Sequence, residues 1–165
     1  MNATFRVSRS VFEFEAIDRI ALPSYAGSTF RGGFGHAFKK TACALRHQTC
    51  DACLLREKCV YSYVFETPPP ADTLIMRKYP RAPHPFVLEP PENGGTEYQP
   101  GERLHVGLIL VGKAIDYFPY FIYGFEVLGE MGVGRGKGRF AVREAHAALP
   151  PGENGPGSTG RQGGL

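Results

Sequence analysis

The sequence lacks an apolar run long enough to cross a membrane. A spanning helix needs about 20 consecutive apolar residues, and polar or charged residues interrupt every apolar stretch of this 165-residue chain well before that length. Residues 1–6 also lack the basic-then-apolar pattern of a secretory signal. The first absence excludes a membrane-spanning helix, and the two together predict a cytoplasmic protein with no membrane partner.

Cysteine is scarce, and the four cysteines of the chain fall within one polar segment, residues 43–59. Disulfides are rare in the reducing cytoplasm, so we expect metal ligands or free thiols instead. Two thiolates separated by two residues can coordinate one ion, and a flanking pair of cysteines can complete a tetrahedral set of ligands. The pattern C-x6-C-x2-C-x5-C therefore predicts a metal site formed by Cys43, Cys50, Cys53 and Cys59.

Thiolate ligands alone leave the identity of the metal open. Structural zinc is the default for a closed four-thiolate site, and an iron–sulfur cluster is the main rival. Nearby His47 could replace Cys43 as a ligand. The alternative interpretation is a set of buried or free thiols, which the clustering of all four cysteines makes less favoured.

The excess of positive charge is small, with 19 Lys and Arg residues against 16 Asp and Glu residues. A net charge of +3 does not by itself identify a nucleic-acid partner. The distribution is more informative, because residues 31–48 and 133–143 contain no acid. We predict that these two segments form a surface that attracts a phosphate backbone and whose cations are Arg31, Arg46, Arg135, Lys137, Arg139 and Arg143.

The second acid-free segment overlaps a glycine loop, residues 132–138, in which glycines alternate with other residues. It matches neither a P-loop nor a dinucleotide fingerprint, because it closes a predicted helix and leads into a predicted strand. Bare glycines let a phosphate backbone approach main-chain N–H groups, and the cations add sequence-independent attraction. We therefore include Gly134, Gly136 and Gly138 in the predicted phosphate-backbone surface, with a flexible, solvated turn as the alternative.

A first helix is predicted over residues 28–45, with Ser28 or Thr29 as its cap. One arc of this helix is apolar and should face the core: Phe30, Phe34, Ala37, Phe38, Thr41 and Leu45. The opposite side carries His36, Lys39 and Lys40, together with Gly32 and Gly33. A histidine beside ammonium groups could move a proton while the cations hold a phosphate. Spacing alone favours an inert, solvated face.

The order of predicted elements indicates an α+β protein. Strands are predicted at residues 4–17, 60–66, 104–111 and 139–145, with residues 86–89 as another short strand candidate, and a second helix at 114–131. Pro119 should place the start of that helix near Asp116 or bend it, and Gly132 should end it through a left-handed cap. The order fits a ferredoxin-like (RRM-like) βαββαβ sandwich with the cysteine-rich insertion after the first helix.

One folded domain is expected over residues 1–148, with the metal-binding insertion at 43–59. Residues 149–165 are rich in glycine and proline and contain no aromatic residue, so we predict a disordered tail or linker there.

Several motifs occur together and in order, and the resemblance that they carry covers nearly all of residues 24–140. They lie at residues 22–36, 50–61, 65–68, 83–89 and 114–121, and they end with Gly132-Val-Gly-Arg-Gly-Lys-Gly-Arg-Phe140. In this set and order the chain resembles the CRISPR-associated endoribonucleases of the RAMP superfamily, which process precursor guide RNA.

The resemblance implies a ferredoxin-like, RRM-related domain that binds CRISPR repeat RNA. It implies metal-independent cleavage, in which the 2′-hydroxyl attacks the adjacent phosphate and leaves a 2′,3′-cyclic phosphate and a 5′-hydroxyl. It also implies His36 as acid or base, Lys39 or Lys40 as electrostatic stabiliser and Tyr25 as an orienting group. Members of the family usually have two such domains, so this sequence resembles an N-terminal half.

The sequence therefore predicts three alternative functions. The first is a repeat-RNA endoribonuclease of antiviral defence, which needs no catalytic cofactor. The second is a non-catalytic RNA-binding RAMP subunit or half-enzyme, whose partners are a second RAMP domain or other CRISPR effector subunits. The third is a structural zinc module that docks to another protein.

Overall fold

The structure is a computed structural model, which describes residues 5–69, 81–91 and 95–148. Its strands are β1 (Val7–Ala16), β2 (Ile20–Ala21), β3 (Phe86–Glu89), β4 (Glu97–Tyr98), β5 (Arg103–Val111) and β6 (Phe140–Ala147), and its α-helices are α1 (Gly27–Ala42) and α2 (Phe118–Met131). Two 3₁₀ helices (Cys50–Ala52 and Gly112–Tyr117) and a π-helix (Ser62–Glu66) complete the elements. The predicted tail, residues 149–165, lies outside the described residues.

Four strands form one antiparallel sheet in the order β3-β5-β1-β6. Numbered by their occurrence in the chain, these strands are arranged 2-3-1-4, with α1 after the first and α2 after the third. The register pairs Phe12 with Val106 and Phe14 with Leu104, which puts buried side chains of neighbouring strands on one face. The prediction of an α+β protein with the strand at 104–111 inside the sheet is confirmed.

Both helices pack on that buried face through aromatic side chains. The ring of Phe34 in α1 lies 5.6 Å from that of Phe121 and 4.5 Å from that of Phe125, both in α2. Phe125 in turn lies 4.6 Å from Phe12 of β1. The predicted core arc of α1 is confirmed for its four buried members, Phe30, Phe34, Ala37 and Phe38.

The ends of the helices differ from the sequence prediction. Helix α1 starts with Ala26 at the cap position and no side-chain cap, so neither Ser28 nor Thr29 plays that role. It ends at Ala42, where the N–H of Cys43 still donates to the carbonyl of Lys39 (3.0 Å). Helix α2 starts at Phe118, two residues later than Asp116, so its proline lies in the first turn, where no N–H is needed. Gly132 has φ +77° and ψ 158°, which is not the predicted left-handed helical cap.

The predicted strand at 60–66 is wrong, because this segment is helical. The N–H of Thr67 donates to the carbonyl of Ser62 (2.7 Å), which closes a π-helical turn. Its β-branched and aromatic composition favours a strand, but β3 already occupies the side of β5 away from β1. The helical segment 60–66 instead packs Phe65 against Phe38 of α1, with ring centroids 5.5 Å apart.

A second, two-stranded sheet was missed by sequence reasoning. Strands β2 and β4 pair through Ile20 with Tyr98 and Ala21 with Glu97. Strand β4 lies in a polar, glycine-containing stretch of the sequence, residues 92–101, and two residues are too short for a periodic signal. Among the described residues, no helix is long and apolar enough to span a bilayer.

Candidate nucleic-acid interface and cysteine cluster

The glycine loop closes on itself and on β2 through its main-chain donors. The N–H groups of Val133 and Gly138 donate to each other's carbonyls (2.9 and 3.1 Å), and that of Lys137 donates to Gly134 (3.3 Å). The N–H of Arg135 donates to the carbonyl of Ala21 (2.8 Å). These four donors are already used within the protein, so they do not form the cradle for phosphate that the sequence suggests.

The glycines of the loop are required by close approach of the protein's own backbone. A Cβ atom on Gly134 would collide with the carbonyl of Ala21, and one on Gly138 with the carbonyl of Arg19. Gly136, with φ +84°, would meet nothing within 4 Å. Of the three glycines predicted to bind RNA, two are therefore explained by packing on the strand β2 region, and Gly136 remains at the open tip of the loop.

Two of the four cations in the acid-free segment 133–143 are paired with acids from elsewhere in the chain. The Nε of Arg139 lies 2.8 Å from Asp18, and an Nη of Arg143 lies 3.0 Å from Glu15. Hydrogen bonds from Arg139 lower the pKa of Asp18, and the hydrogen bond from Arg143 does the same to the pKa of Glu15. The partners are not evident from the sequence, because Asp18 and Glu15 lie 121 and 128 residues from these arginines and reach them only through the pairing of β1 with β6.

Arg135 and Lys137 are exposed at the tip of the same loop. Within the described part of the chain, neither side chain has an ion pair or a hydrogen bond. The free positive charge of the loop is therefore concentrated in these two residues.

The cations of α1 are also unequal. The guanidinium of Arg31 lies 5.1 Å above the ring of Phe86, and the Nζ of Lys39 lies 5.2 Å above the ring of Tyr61. Such contacts hold a cation against an aromatic face. Arg46 donates to the carbonyl of Lys40 (3.0 Å) beyond the helix end, while His36 and the Lys40 side chain are exposed.

The predicted catalytic residues do not form one site. The Tyr25 side chain is 72% exposed, and its ring lies beside Gly27 at the start of α1. His36 follows Gly27 by nine residues, which is about 14 Å along a helix axis. Hydrogen-bond reach, about 3 Å, is needed for one residue to orient another in proton transfer. Tyr25 is therefore not the orienting partner of His36 within this chain.

The predicted site residues instead fall into two groups. The loop group is Arg135 and Lys137, in a loop whose main chain bonds to Ala21, with Tyr25 four residues after Ala21 and just before α1. The helix group, His36, Lys40 and Arg46, lies in the second half of α1 and just beyond it. An extended RNA strand could contact both groups, whereas a small substrate could not.

The second face of the main sheet carries ion pairs instead of stacking side chains. Glu13 accepts from Arg103 and pairs with His105 (3.2 Å), and Arg9 pairs with Glu89 (2.9 Å). The described strand residues on this face include no Phe, Tyr or Trp. RRM domains bind bases by stacking them on aromatic residues of the sheet, and this sheet face does not provide for that mode.

The four cysteines are free and half-buried. Burial raises the pKa of the Cys50 thiol; Lys39 opposes the shift, and Glu66, Cys43 and Cys59 add to it. Three of the four cysteines are therefore electrostatic neighbours, with Lys39 and Glu66 beside them. In the described ranges, no three Cys, His, Asp or Glu side chains are arranged to hold one ion as they stand. Sequence reasoning missed Tyr61 and Glu66 as neighbours of the cluster, because it placed both on a strand.

The chain is similar to one protein family and to one archaeal protein. Residues 5–158 match the family model AF_1859_N, which is described as an N-terminal domain, and the match extends into the predicted tail. An uncharacterized protein of Archaeoglobus fulgidus is 32% identical over 114 residues. That alignment covers 68% of this chain and 37% of the archaeal protein, so the chain spans well under half of its relative's length.

Proposed function

Because this chain belongs to the AF_1859_N family, whose model describes an N-terminal domain, we propose that it is the RNA-binding half of a CRISPR repeat-RNA endoribonuclease of the RAMP superfamily. The ordered motifs within residues 24–140 support this proposal. The antiparallel strand arrangement 2-3-1-4, with two helices on one face, supports a ferredoxin-like fold. Such a protein acts in the cytoplasm, where free thiols stay reduced.

The single observation that carries RNA binding is the pair of unneutralised cations at the tip of the glycine loop. Arg135 and Lys137 project from a loop that is fixed on β2 by main-chain hydrogen bonds. A rigid loop bearing free cations attracts a phosphate backbone without sequence preference. Sequence preference would then come from groups outside this loop.

Cleavage in this proposal follows the metal-independent route that the family resemblance implies. The 2′-hydroxyl attacks the adjacent phosphate, the 5′-oxygen leaves, and a cyclic phosphate is formed. His36 would take or give the proton, and Lys40, one turn along the same face, would stabilise the charge that develops on the phosphate. Because Tyr25 does not reach His36, the remaining catalytic groups would come from a second domain or a partner subunit.

RNA binding is tested with the Arg135→Ala/Lys137→Ala double variant and a synthetic RNA of the cognate CRISPR repeat. Each phosphate contact contributes about 0.7 to the slope of log affinity against log salt for a single strand. We expect weaker binding and a slope lower by about 1.4. Fluorescence anisotropy at several salt concentrations measures both quantities.

Arg6→Ala is the control for a general loss of charge. Arg6 lies just before Val7, at the end of β1 that is farther from the glycine loop. The length of β1 puts about 30 Å between Arg6 and the end of the strand nearer the loop. Arg6 pairs with Asp116 on the surface (3.1 Å). The salt slope of this variant should match that of the parent. An absence of parent binding at low salt, or equal slopes for the loop variant and the control, would overturn the assignment.

Cleavage is tested with His36→Ala in the presence of chelator and of the C-terminal half of the protein. Loss of a general acid or base typically costs about 10²–10⁴-fold in rate, so we expect a loss of that size with unchanged RNA affinity. His146→Ala, an exposed histidine on β6, serves as the control and should cleave at the parent rate. Equal rates for both variants would remove His36 from the mechanism.

A second candidate function is favoured by the separation of the loop and helix groups. A non-catalytic RNA-binding subunit would use both groups to hold the RNA and would need no acid or base. Salt-dependent binding without cleavage, even with the C-terminal half added, would select this function over the enzyme.

A further inference from the structure

Residues 43–59 lack the interactions that hold the rest of the fold. None of these residues is buried, and Leu54 is 91% exposed. The hydrogen bonds of this segment in the described structure are local, as between the N–H of Cys59 and the carbonyl of Leu55 (2.8 Å). Its ion pair, Arg56 with Asp51 (3.5 Å), is local as well. A segment of this length without buried apolar surface needs another source of order.

The cysteines occupy the positions from which one ion could supply that order. Cys43 directly follows α1. Cys59 begins the next helical turn, and its carbonyl accepts the N–H of Tyr63 (3.0 Å). Cys50 and Cys53 lie at the two ends of one tight turn, closed by a hydrogen bond of 3.3 Å between their main-chain groups. Cys43 and Cys59 lie within electrostatic range of Cys50, but among the described side chains no three are arranged to hold one ion as they stand. Both ends and the middle of the segment thus carry a cysteine, and ion binding would draw these side chains together.

The surroundings of the cysteines include donors suited to an anionic centre. Lys39 lies within electrostatic range of Cys50, as does the carboxylate of Glu66. The Nε of Arg56, three residues after Cys53, is buried and has no acceptor among the described residues. A buried donor without a partner is costly, and four thiolates around a divalent ion carry net negative charge that such a donor can satisfy.

We propose that Cys43, Cys50, Cys53 and Cys59 bind one zinc ion as four thiolates, each thiol giving up its proton, and that this ion orders residues 43–59 locally. The main core does not depend on the ion, because its buried side chains come from the sheet, α1, α2 and the π-helix. The zinc site fastens the segment between the end of α1 and the π-helix. This inference is independent of the proposed RNA function.

Elemental analysis of the whole chain, purified under reducing conditions without added metal, tests the ligand set. We expect about one zinc per chain, lost in Cys50→Ser and in Cys43→Ser but retained in His47→Ala. Zinc retained in Cys43→Ser and lost in His47→Ala would overturn the four-thiolate set. Iron with acid-labile sulfide would overturn zinc, and the absence of any metal would overturn the site.

Chelation of the unmodified protein tests the local role without relying on variants that fail to fold. Chelator should expose Arg46, Arg56 and Lys58 to trypsin, while the amides of β1 and β5 keep their hydrogen-exchange protection. Readdition of zinc should restore resistance. Loss of protection throughout the sheet would overturn a local role, and a segment that resists trypsin equally with and without zinc would overturn any ordering role.

Discussion

Arg139 shows how a single side chain changes meaning between sequence and structure. In the sequence it belongs to a run of cations that reads as a binding surface. In the structure both its Nε and its Nη2 donate to Asp18, and its main-chain N–H does so as well (3.2 Å). A side chain with this many internal bonds positions the loop instead of attracting RNA.

The same pair makes a prediction about acid stability. The pKa of Asp18 is lowered mainly by the hydrogen bonds from Arg139, so its contribution to stability is fully present above the ordinary aspartate pKa of about 3.9. That contribution is lost as pH falls through the lowered pKa. In urea unfolding between pH 6 and pH 2, Asp18→Asn should show a flatter acid limb than the parent.

Arg139→Gln is the matched variant, since it keeps the carboxyl and removes the guanidinium, while the main-chain N–H of residue 139 still donates to Asp18. It should flatten the acid limb to a smaller degree than Asp18→Asn. If either variant loses stability below pH 4 as steeply as the parent, the Asp18–Arg139 pair does not contribute to the pH dependence.

The glycines of the helices differ in whether they lie in contacts between elements. Gly32 lies on the exposed side of α1 and a Cβ there would meet nothing within 4 Å. Gly129 is buried in α2, where a Cβ would collide with the main-chain carbonyl of Phe140 in β6. Gly33 was expected on the solvent side of α1, but its Cβ would lie 2.9 Å from a methyl group of Leu128.

The exposed Gly32 and the buried Gly129 give opposite predictions for substitution by alanine. Gly32→Ala should raise the free energy of unfolding by about 0.5–1 kcal/mol, because alanine restricts the unfolded chain. Gly129→Ala should lower it by about 1–3 kcal/mol, because the backbone of β6 cannot yield as a side chain can. Chemical denaturation of both variants measures the difference, and a change of the same sign in both would contradict the packing of α2 on β6.

The whole molecule depends on one aromatic cluster that links both helices to the sheet. The ring of Phe34 contacts those of Phe38, Phe65, Phe86, Phe121 and Phe125, which belong to α1, the π-helix, β3 and α2. Removing it would leave a cavity that none of these elements can fill alone. The cluster is separate from residues 43–59, which have no buried member.

Phe34→Ala should therefore destabilise the whole fold by about 3–5 kcal/mol, the usual cost for a buried phenylalanine. Phe5→Ala is the control, since Phe5 is 78% exposed, and its effect should stay within about 0.5 kcal/mol. Denaturant unfolding followed by far-UV circular dichroism compares them. Equal effects would show that Phe34 is not central to the core.

Alternation and helical periodicity in the sequence determined the main elements. Strands β1, β3, β5 and β6 and both helices are predicted near their observed bounds, because each buries one face or stripe and the pattern records that burial. The segment 60–66 failed the same reasoning. Its composition favours a strand, but the sheet position beside β5 belongs to β3, and only the assembled sheet decides which segment pairs.

The sequence by itself also determined the inventory of functional groups, namely a cysteine cluster, a basic glycine loop and a histidine among lysines. The tertiary structure decided which of these groups are free to act. Asp18 and Glu15 reach Arg139 and Arg143 from distant positions in the chain, leaving Arg135 and Lys137 as the free cations of the loop in the described structure. Charge, burial and backbone approach depend on distances in space, and a linear pattern records only distances along the chain.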